Sequence, residues 1–532
     1  MSSAPEAAQL PFNSPEEIAK INETLRKNFL TGKTRDLNYR KNQLKQLTYL
    51  FIENRQAINE ACRKDLGRPT FETEFGETQI MINDCVESID HLDKWAKTEN
   101  KWAGLPWATH KITVRKEPKG TVLVLGAWNY PLNVQVGPVI AAIAAGNTYV
   151  LKPSEISAHS AKLLAELWPK YMDPDTGRVV NGGIPQSTAL LDLRWEHIFY
   201  TGNGRVGRIV AEKAAKHLCP VSLELGGKSP VYVDEGANLN IAAHRIVWGK
   251  TLNNGQTCIA PDYILCTATI QDQLIAELNK VLEEFFPKSK GGAGKSDSYG
   301  RIVNENHFKR ISGMITNTKG TITYGGQTDE SQKLIEPTVI KITSKEDSLM
   351  SDEIFGPVLP ILPVRNVDEA INFINSKDQP LALYIFSSSK NAEKILDRTR
   401  SGSAVIGETL LQFAISQMPF GGTGPSGYGN YHGEYGFKTF SHERSTLYAP
   451  DKGIIGTIVE HIMSKRYPPH QKGAAEYFAK VSGKPVRFSK PKNPHASSSP
   501  YFGDVLEAET LAEKKVIGLN RVYSGGEGEG CV

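Results

Sequence analysis

A thiol and a carboxylate, each framed by glycines, could perform nucleophilic chemistry in this chain. Cys258 ends the segment Asn254-Gly255-Gln256-Thr257-Cys258, and Glu224 lies upstream in Leu223-Glu224-Leu225-Gly226-Gly227. Glycine allows close approach to the backbone, so both side chains could stand open at a pocket floor. A free cysteine is only a few per cent thiolate at neutral pH, and a nearby base enlarges that fraction. The pair indicates a nucleophile with its base, although a lone cysteine is most often a small buried hydrophobe.

A glycine pattern typical of dinucleotide binding precedes the carboxylate. Gly202-Asn203-Gly204-Arg205-Val206-Gly207 follows a predicted strand and opens a helix predicted over 205–216. Such a pattern is usually followed, about 20 residues on, by an acidic residue that binds a ribose, and Glu224 falls near that place. Two interpretations therefore compete for Glu224. It is either a ribose ligand or a catalytic acid at the junction of two α/β segments.

A second candidate for the ribose follows another predicted strand. Lys152 and Glu155 lie in Leu151-Lys152-Pro153-Ser154-Glu155, where the strand ends. Ligands of open α/β sheets bind outside the carboxyl ends of the strands. A carboxylate at this place would repel the extra phosphate of NADP, which favours NAD. The alternative is a surface ion pair at the start of a helix.

The elements that must position these residues alternate between strand and helix. Residues 14–100 read as helices, beginning with the capping box Ser14-Pro15-Glu16-Glu17. Strands are then predicted over 121–125, 148–151, 197–200 and 230–233, and helices over 139–145, 158–167, 241–250, 271–286 and 366–375. This alternation predicts an α/β fold with a doubly wound parallel sheet, followed by a second α/β domain. The composition shifts beyond about residue 450, and the basic stretch 472–492 with the glycine-rich end over 525–530 is predicted to be a loosely ordered tail.

Composition excludes several other functions. The chain has 532 residues, a formal charge of +4 and six irregularly spaced cysteines. The small charge and the absence of zinc-type cysteine spacing argue against nucleic acid as a partner, and no metal site is expected. Reduced thiols suit the cytoplasm. The N-terminus resembles no secretory signal, and no apolar run is long enough to span a membrane.

Seven motifs in order together resemble the aldehyde dehydrogenase superfamily. They are Trp128-Asn129-Tyr130-Pro131, Lys152-Pro153-Ser154-Glu155, Tyr200-Thr201-Gly202-Asn203, Glu224-Leu225-Gly226-Gly227-Lys228, Gly255-Gln256-Thr257-Cys258, Glu353-Ile354-Phe355-Gly356-Pro357 and Pro419-Phe420-Gly421-Gly422. Two further segments, Tyr431-His432-Gly433 and Phe437-Lys438-Thr439-Phe440-Ser441-His442, resemble the class 3 branch, which includes the fatty aldehyde dehydrogenases. The resemblance covers roughly residues 15–469.

The resemblance implies a role for each site residue. Cys258 would be the nucleophile, Glu224 the base that activates water, and Asn129 an oxyanion donor. The implied cofactor is NAD, with NADP left open. Its expected ligands are Lys152 and Glu155 at the adenosine ribose, Gly202 and Gly207 on the pyrophosphate side, and Glu353 and Phe355 at the nicotinamide side. Tyr130, Trp248 and His432 would line the substrate channel, although each could instead be an ordinary core residue.

The resemblance also implies a domain division. We expect an NAD-binding domain over 1–223, with about 101–119 contributing to a small β oligomerisation extension, and a catalytic domain over 224–425. An oligomerisation segment over 426–450 and a C-terminal lid helix with a basic tail over 451–532 would follow. A homodimer is the expected assembly. The stretch 452–492 carries an isoleucine stripe and basic residues, so it is either a lid helix or a peripheral membrane contact, and the two are compatible.

The expected reaction is oxidation of a long apolar aldehyde to its carboxylic acid through a cysteine thiohemiacetal and a thioester. Two substrate classes suit the sequence, which looks fungal. They are straight-chain fatty aldehydes and apocarotenals such as β-apo-4′-carotenal, oxidised in carotenoid-acid synthesis, and we favour the apocarotenals. The alternatives are a CoA-acylating semialdehyde dehydrogenase, which would have no use for Glu224, and a non-catalytic lipid-binding protein that retains the fold.

Overall fold

The computed structural model describes residues 10–484 and 486–489. The helices are α1 (Pro15–Leu30), α2 (Leu37–Glu53), α3 (Arg55–Leu66), α4 (Thr70–Thr73), α5 (Gln79–Trp95), α6 (Asn133–Ala145), α7 (Ala158–Tyr171), α8 (Ile184–Asp192), α9 (Gly204–Ala215), α10 (Leu239–Thr251), α11 (Ala268–Phe285), α12 (Glu305–Asn317), α13 (Val367–Asn375), α14 (Ser389–Arg398), α15 (Gly433–Thr439), α16 (Gly453–Met463) and α17 (Ala474–Ser482). One π-helical turn, Glu74–Thr78, joins α4 to α5.

The strands are β1 (Glu99–Lys101), β2 (Lys111–Pro118), β3 (Thr121–Leu125), β4 (Thr148–Lys152), β5 (Gly177–Val179), β6 (His197–Thr201), β7 (Val221–Glu224), β8 (Pro230–Val233), β9 (Tyr263–Thr267), β10 (Thr321–Tyr324), β11 (Thr328–Asp329), β12 (Leu334–Ile335), β13 (Thr338–Lys341), β14 (Val358–Val364), β15 (Ala382–Phe386), β16 (Ser403–Ile406), β17 (Gly427–Tyr428) and β18 (Ser441–Tyr448).

The first large sheet has the order β17-β7-β6-β3-β4-β5 and is parallel except for β17, which pairs antiparallel with β7. Alternate residues of its strands point to opposite faces. Val122 and Val124 therefore pack with α2, α5, α6 and α7, whereas Leu123 and Leu125 pack with α1, α8 and α9. Helices on both faces of a parallel sheet make it doubly wound, as the alternating sequence predicts.

The second large sheet has the order β10-β13-β14-β9-β8-β15-β16, in which only the edge strand β10 runs antiparallel. One face buries Val231 and Ile264 against α10 and α11, and the other buries Tyr232 and Leu265 with residues of α12, α13 and α14. The chain crosses from the first sheet to the second between β7 and β8. The predicted α/β fold with two parallel-sheet layers is confirmed, and Glu224 ends the last parallel strand of the first layer.

The helix after β3 is longer than the sequence predicts. Gly137 and Pro138 suggest a helix start near residue 139, because proline removes a backbone hydrogen bond from a helix interior. In the structure α6 begins at Asn133 and contains Pro138. The carbonyl of Val134, which proline cannot serve, accepts instead from Thr201 Oγ1 at 3.5 Å. A tertiary contact therefore compensates for the helix breaker.

A small sheet and a C-terminal unit complete the fold. The small sheet has the order β1-β2-β18, so the two segments expected in the oligomerisation extension pair in one sheet. A separate compact unit contains residues 102–110 and the described residues from 448 to 489, with α16 and α17. The predicted loose tail is helical over Ala474–Ser482, where three alanines, a glutamate and a lysine favour a helix. Most of the predicted basic and glycine-rich tail lies outside the described residues.

Candidate active site

Cys258 follows a sharply turned loop at the end of α10. Asn253, Asn254 and Gly255 all have positive φ, at 51°, 55° and 70°. A Cβ at Gly255 would lie 2.3 Å from the Gly356 carbonyl oxygen, so only glycine fits there. This backbone turns the chain back on itself and leaves the thiol of Cys258 partly exposed.

An apolar cavity contains both Cys258 and Glu224, which the sequence pairs as nucleophile and base. Its lining residues are Tyr130, Asn133, Val134, Thr201, Glu224, Thr257, Cys258, Ile259, Leu410, Phe413, Phe420, Tyr431 and His432. The structure thus brings together residues from β7, the Cys258 loop and the segments near 410–432. Several were not predicted as site residues, although Phe420 and Tyr431 belong to recognised motifs.

The carboxylate of Glu224 is only 3 % exposed and ends β7. Neither carboxylate oxygen has a hydrogen-bond partner within the described chain. Burial therefore raises the pKa of Glu224 well above its usual range. An unpaired carboxyl with a raised pKa in a largely apolar cavity is suited to take a proton from water or from a thiol.

The Cys258 thiol has a raised pKa. Burial raises it most, and the neighbouring charges of Glu353 and Glu224 raise it further. The backbone N–H groups of Cys258 and Ile259 act in the opposite direction. The thiol is therefore stored as the protonated form, and a base must remove its proton before it attacks.

Asn129, the predicted oxyanion donor, lies in the loop between β3 and α6. Its side chain is 4 % exposed, and Nδ2 donates to the Gln256 carbonyl at 3.1 Å, two residues before Cys258. An amide nitrogen carries two protons, so one remains for a ligand. A buried and fixed donor of this kind stabilises negative charge better than water does, because it needs no reorientation.

Two of the three predicted channel residues line the cavity. Tyr130 is buried, and its hydroxyl lies 3.1 Å from Thr257 Oγ1. His432 has a φ of 84°, and its Nδ1 has no partner among the described residues. Burial lowers the pKa of His432 to about 4, so the imidazole is neutral at physiological pH.

Trp248, the third predicted channel residue, does not line this cavity. Its ring packs edge-on against Phe75 at 6.1 Å, and Phe75 packs against Phe413 at 6.0 Å. Phe413 is the residue that reaches the cavity. Trp248 belongs to α10, and the rings of Phe75 and Phe413 lie between it and the cavity.

The strand end after β4 provides a buried cation. Lys152 is 5 % exposed, and its Nζ donates to Glu155 at 2.6 Å. Burial lowers the pKa of Lys152. Only Lys152 is buried in this pair, because the Glu155 side chain is 36 % exposed. A buried ammonium beside a carboxylate at a strand end fits the two hydroxyls of an adenosine ribose.

The turn carrying Glu353 and Phe355 is held in an unusual conformation. Phe355 has a φ of 48°, and its ring packs edge-on against Trp128 at 5.5 Å. Burial raises the pKa of Glu353 to about 8, and the negative charge of Asp262 adds to this effect. A Cβ on Gly226 would lie 2.5 Å from a carboxylate oxygen of Glu353. Strained backbone of this kind is common at ligand sites.

The glycines of the dinucleotide-like pattern contact the protein itself. A Cβ at Gly202 would lie 2.2 Å from Tyr200 Oη, and one at Gly207 would lie 2.9 Å from Leu225 Cδ2. Packing within the fold therefore explains both glycines, and Asn203 caps α9 by accepting from the Val206 N–H at 3.0 Å. Among the residues that the structure describes, no group of three or more metal-ligating side chains occurs.

Comparison with known proteins gives one consistent family. The model of the aldehyde dehydrogenase family matches residues 3–446. The chain is 43 % identical over 456 residues to a rat aldehyde dehydrogenase described as dimeric and NADP-preferring, covering 85 % of this chain and 98 % of the relative. It is 42 % identical over 454 residues to mouse aldehyde dehydrogenase family 3 member A2, covering 85 % of this chain and 92 % of that relative.

Solved structures agree with the sequence matches. The substrate-bound structure of Staphylococcus aureus AldH superposes with a TM-score of 0.83 at 37 % identity, covering 88 % of this chain and 99 % of that chain. The predictions of an oxidoreductase that acts on aldehydes, with NAD or NADP as cofactor, are confirmed at this level. The chain belongs to the aldehyde dehydrogenase family.

Proposed function

We propose that this protein oxidises long aliphatic aldehydes to carboxylic acids with Cys258 as nucleophile. The single observation that carries the proposal is the placement of Cys258 and the unpaired Glu224 in one apolar cavity. An apolar lining supports an apolar substrate, because its desolvation on entry is favourable.

Cys258, Asn129 and Glu224 act one after another in the proposed reaction. The Cys258 thiol gives its proton to solvent water as the sulfur adds to the aldehyde carbon, and the Asn129 amide and the Cys258 N–H donate hydrogen bonds to the resulting alkoxide. When bound, the nicotinamide dinucleotide supplies the oxidant that accepts the hydride from this carbon. Loss of the hydride leaves a thioester on Cys258. Glu224 then takes a proton from water as the water oxygen attacks the thioester carbon; the C–S bond breaks, the Cys258 sulfur takes this proton from Glu224, and the carboxylic acid is released.

The substrate preference differs from the one that the sequence favours. The relatives described above include a family 3 aldehyde dehydrogenase and two other aldehyde dehydrogenases, and none is described as acting on apocarotenals. They support the fatty aldehyde alternative better than the apocarotenal preference. A flexible alkyl chain also adapts to a cavity walled by the rings of Phe413, Phe420 and Tyr431 more readily than a rigid polyene does.

The test compares aldehydes on the purified protein. We expect oxidation of hexadecanal with a higher kcat/KM than that of β-apo-4′-carotenal, and no oxidation of either by Cys258→Ala. Preferred turnover of the carotenal would overturn the substrate proposal. Absence of turnover with every aldehyde would overturn the enzymatic proposal, and a requirement for CoA would favour the CoA-acylating alternative.

The cofactor proposal assigns residues to two ends of the dinucleotide. Lys152 and Glu155 would hold the adenosine ribose, and Glu353 and Phe355 would hold the nicotinamide side. Gly202 and Gly207 stay proposed on the pyrophosphate side, with less support because packing explains them. The domain division into an NAD-binding part over 1–223, a catalytic part over 224–425, an oligomerisation segment over 426–450 and a C-terminal part over 451–532 is likewise a proposal, supported by the change of sheet after β7.

We also propose a homodimer and a peripheral membrane contact for a cytoplasmic enzyme. The exposed edge residues of the β1-β2-β18 sheet support the first, and sedimentation as a monomer would refute it. The second rests on α16, whose Ile454, Ile455 and Ile458 are 81 %, 57 % and 54 % exposed, with Lys465 and Arg466 close behind. Within the described residues, no helix is long and apolar enough to cross a membrane.

Vesicle sedimentation tests the membrane contact. We expect binding to vesicles that contain phosphatidylserine, weakened by salt and by the double substitution Ile454→Gln with Ile458→Gln. The matched control is Ile184→Gln, because Ile184 is also 80 % exposed but begins α8. Equal binding by the double variant and the control would refute a contact through α16.

A further inference from the structure

A buried ion pair lies beneath the loop that carries Asn129. Arg68 is 2 % exposed, and its Nη1 donates to Glu77, whose side chain is fully buried. Neither residue lines the cavity of Cys258. Burying two charges costs solvation free energy, and a well-packed apolar pair is often equally stable. Stability alone therefore does not explain why an ion pair lies at this position.

The guanidinium of Arg68 contacts both loops that form the reaction site. Its Nη2 donates to the backbone carbonyl of Asn129 and, at 2.8 Å, to Asn253 Oδ1, and its Nε also reaches Asn253 Oδ1 at 3.2 Å. The guanidinium also stacks over the ring of Tyr130, with its central carbon 4.7 Å from the centroid. One planar side chain thus connects two loops. The first is the loop between β3 and α6 that carries Asn129, called the oxyanion loop, and the second is the loop over 252–258 that ends at Cys258, called the nucleophile loop.

Glu77 extends this network to the far end of the oxyanion loop. Its second carboxylate oxygen accepts from the N–H groups of Leu132 at 3.0 Å and Asn133 at 2.7 Å, where α6 begins. Glu77 lies in the π-helical turn between α4 and α5, and such turns are frequent at functional sites. The ion pair therefore contacts the backbone at both ends of the segment 129–133.

Asn253 completes the connection on the nucleophile side. Its Nδ2 donates to the Asn129 carbonyl at 2.9 Å and to the Gln256 carbonyl at 3.0 Å. Its own N–H donates to the buried Glu72 at 2.9 Å. The Asn129 amide donates to the same Gln256 carbonyl. The amide that would receive the alkoxide is thus positioned through Arg68 and Asn253.

We propose that Arg68, anchored by Glu77, is a positioning residue that sets the Asn129 amide relative to Cys258. The proposal rests on the proposed function, since it assigns no new reaction. Lysine cannot replace arginine here, because an ammonium has no planar fork that serves a carboxylate, an amide oxygen and a carbonyl together. A misplacement of about 1 Å in such a site costs about 100-fold in rate.

The first experiment compares Arg68→Lys and Glu77→Gln with the parent protein. We expect kcat for aldehyde oxidation to fall about 10- to 100-fold, with the aldehyde KM and the NAD dissociation constant within about threefold of the parent. Alkylation of Cys258 by iodoacetamide needs no oxyanion donor, so its rate should stay within about threefold. Glu77→Gln keeps the side-chain volume and carries the test if Arg68→Lys does not fold.

Arg40→Lys is the matched control. Arg40 is 5 % exposed and also donates to three backbone carbonyls, those of Thr34, Arg35 and Ala144, but it lies on α2. We expect Arg40→Lys to lower thermal stability and to leave kcat per folded site within about twofold. An equal kcat loss in Arg40→Lys, or an unchanged kcat in both test variants, would overturn the positioning role.

A double-mutant cycle with Asn129→Ala separates positioning from general damage. Removing one oxyanion donor costs about 100- to 1000-fold, and in that background Arg68→Lys should cost less than about twofold more. The same fold loss in both backgrounds would show that Arg68 does not act through Asn129. An inactive parent protein would instead refute the proposed function itself.

Discussion

At the scale of single residues, burial of the Glu224 carboxyl suits this group to act as a base and lowers the stability of the folded protein when it is ionised. No described group compensates its charge, and burial raises its pKa well above that of a glutamate in the unfolded chain. A group with a raised folded pKa contributes its full stability below the unfolded pKa and loses it as pH rises through the folded pKa. The carboxylate that would activate water therefore destabilises the folded protein at alkaline pH.

Substitution by glutamine should remove this pH dependence. We expect Glu224→Gln to raise the melting temperature relative to the parent, and to raise it more at about pH 8.5 than at about pH 5. Differential scanning fluorimetry across pH measures the effect. Glu369→Gln is the control of opposite sign and should lower the melting temperature, because hydrogen bonds and ion pairs lower the pKa of Glu369 to about 2. A Glu224→Gln effect that is constant with pH would contradict the raised pKa.

The kcat of the parent protein should follow the same titration, in the direction expected when Glu224 acts as a base. The ionised form of Glu224 takes the proton, so kcat rises with pH through its raised pKa if deacylation limits turnover. A profile without an acidic limb above about pH 5 would indicate that another group acts as the base.

At the scale of elements, the Glu353 carboxylate packs closely against the backbone that crosses from β7 to β8. Gly226 lies in this crossing, and a Cβ there would fall 2.5 Å from the Glu353 carboxylate. We expect Gly226→Ala to displace Glu353 and to raise the KM for NAD about tenfold, which corresponds to the loss of about one hydrogen bond. Gly236→Ala is the control, because nothing lies within 4 Å of a Cβ there. An unchanged KM would exclude Glu353 as a ribose ligand.

Elements with continuous apolar runs could be predicted from the sequence, and those that depend on distant contacts could not. The strand predicted over 121–125 matches β3, because a buried parallel strand needs no polar alternation. The start of α6 was predicted six residues late, because Thr201, far along the chain, satisfies the carbonyl that Pro138 leaves free. The sequence motifs predict Cys258 and Glu224 as site residues, and both line one cavity. No spacing signal connects Arg68 with Glu77 or Asn253, because a π-turn and a loop bring them together.

At the scale of the whole molecule, a bound dinucleotide should stabilise the fold by mass action. A ligand at about 100 times its dissociation constant stabilises the native state by about 2.7 kcal/mol. We expect NAD to raise the melting temperature of the parent and of Cys258→Ala, and to have little effect on a variant with Lys152→Ala and Glu155→Ala. This readout does not require catalysis.

Helix α7, which begins three residues after Glu155, provides a control for that double variant. Lys162 and Glu166 form an exposed pair at 3.9 Å on α7, close in sequence to Lys152 and Glu155. Lys162→Ala with Glu166→Ala should retain the full shift with NAD. An undiminished shift in the variant lacking Lys152 and Glu155 would contradict their role at the ribose.

The proposed reaction requires that Cys258 forms the covalent intermediate and that Glu224 releases it. Mixing Glu224→Gln with hexadecanal and NAD, followed by mass spectrometry of the digested protein, tests both parts most directly. We expect one equivalent of NADH per active site, a slow steady state, and an acyl group on the peptide that contains Cys258. Steady turnover at the parent rate, or an acyl group on a different cysteine, would contradict it.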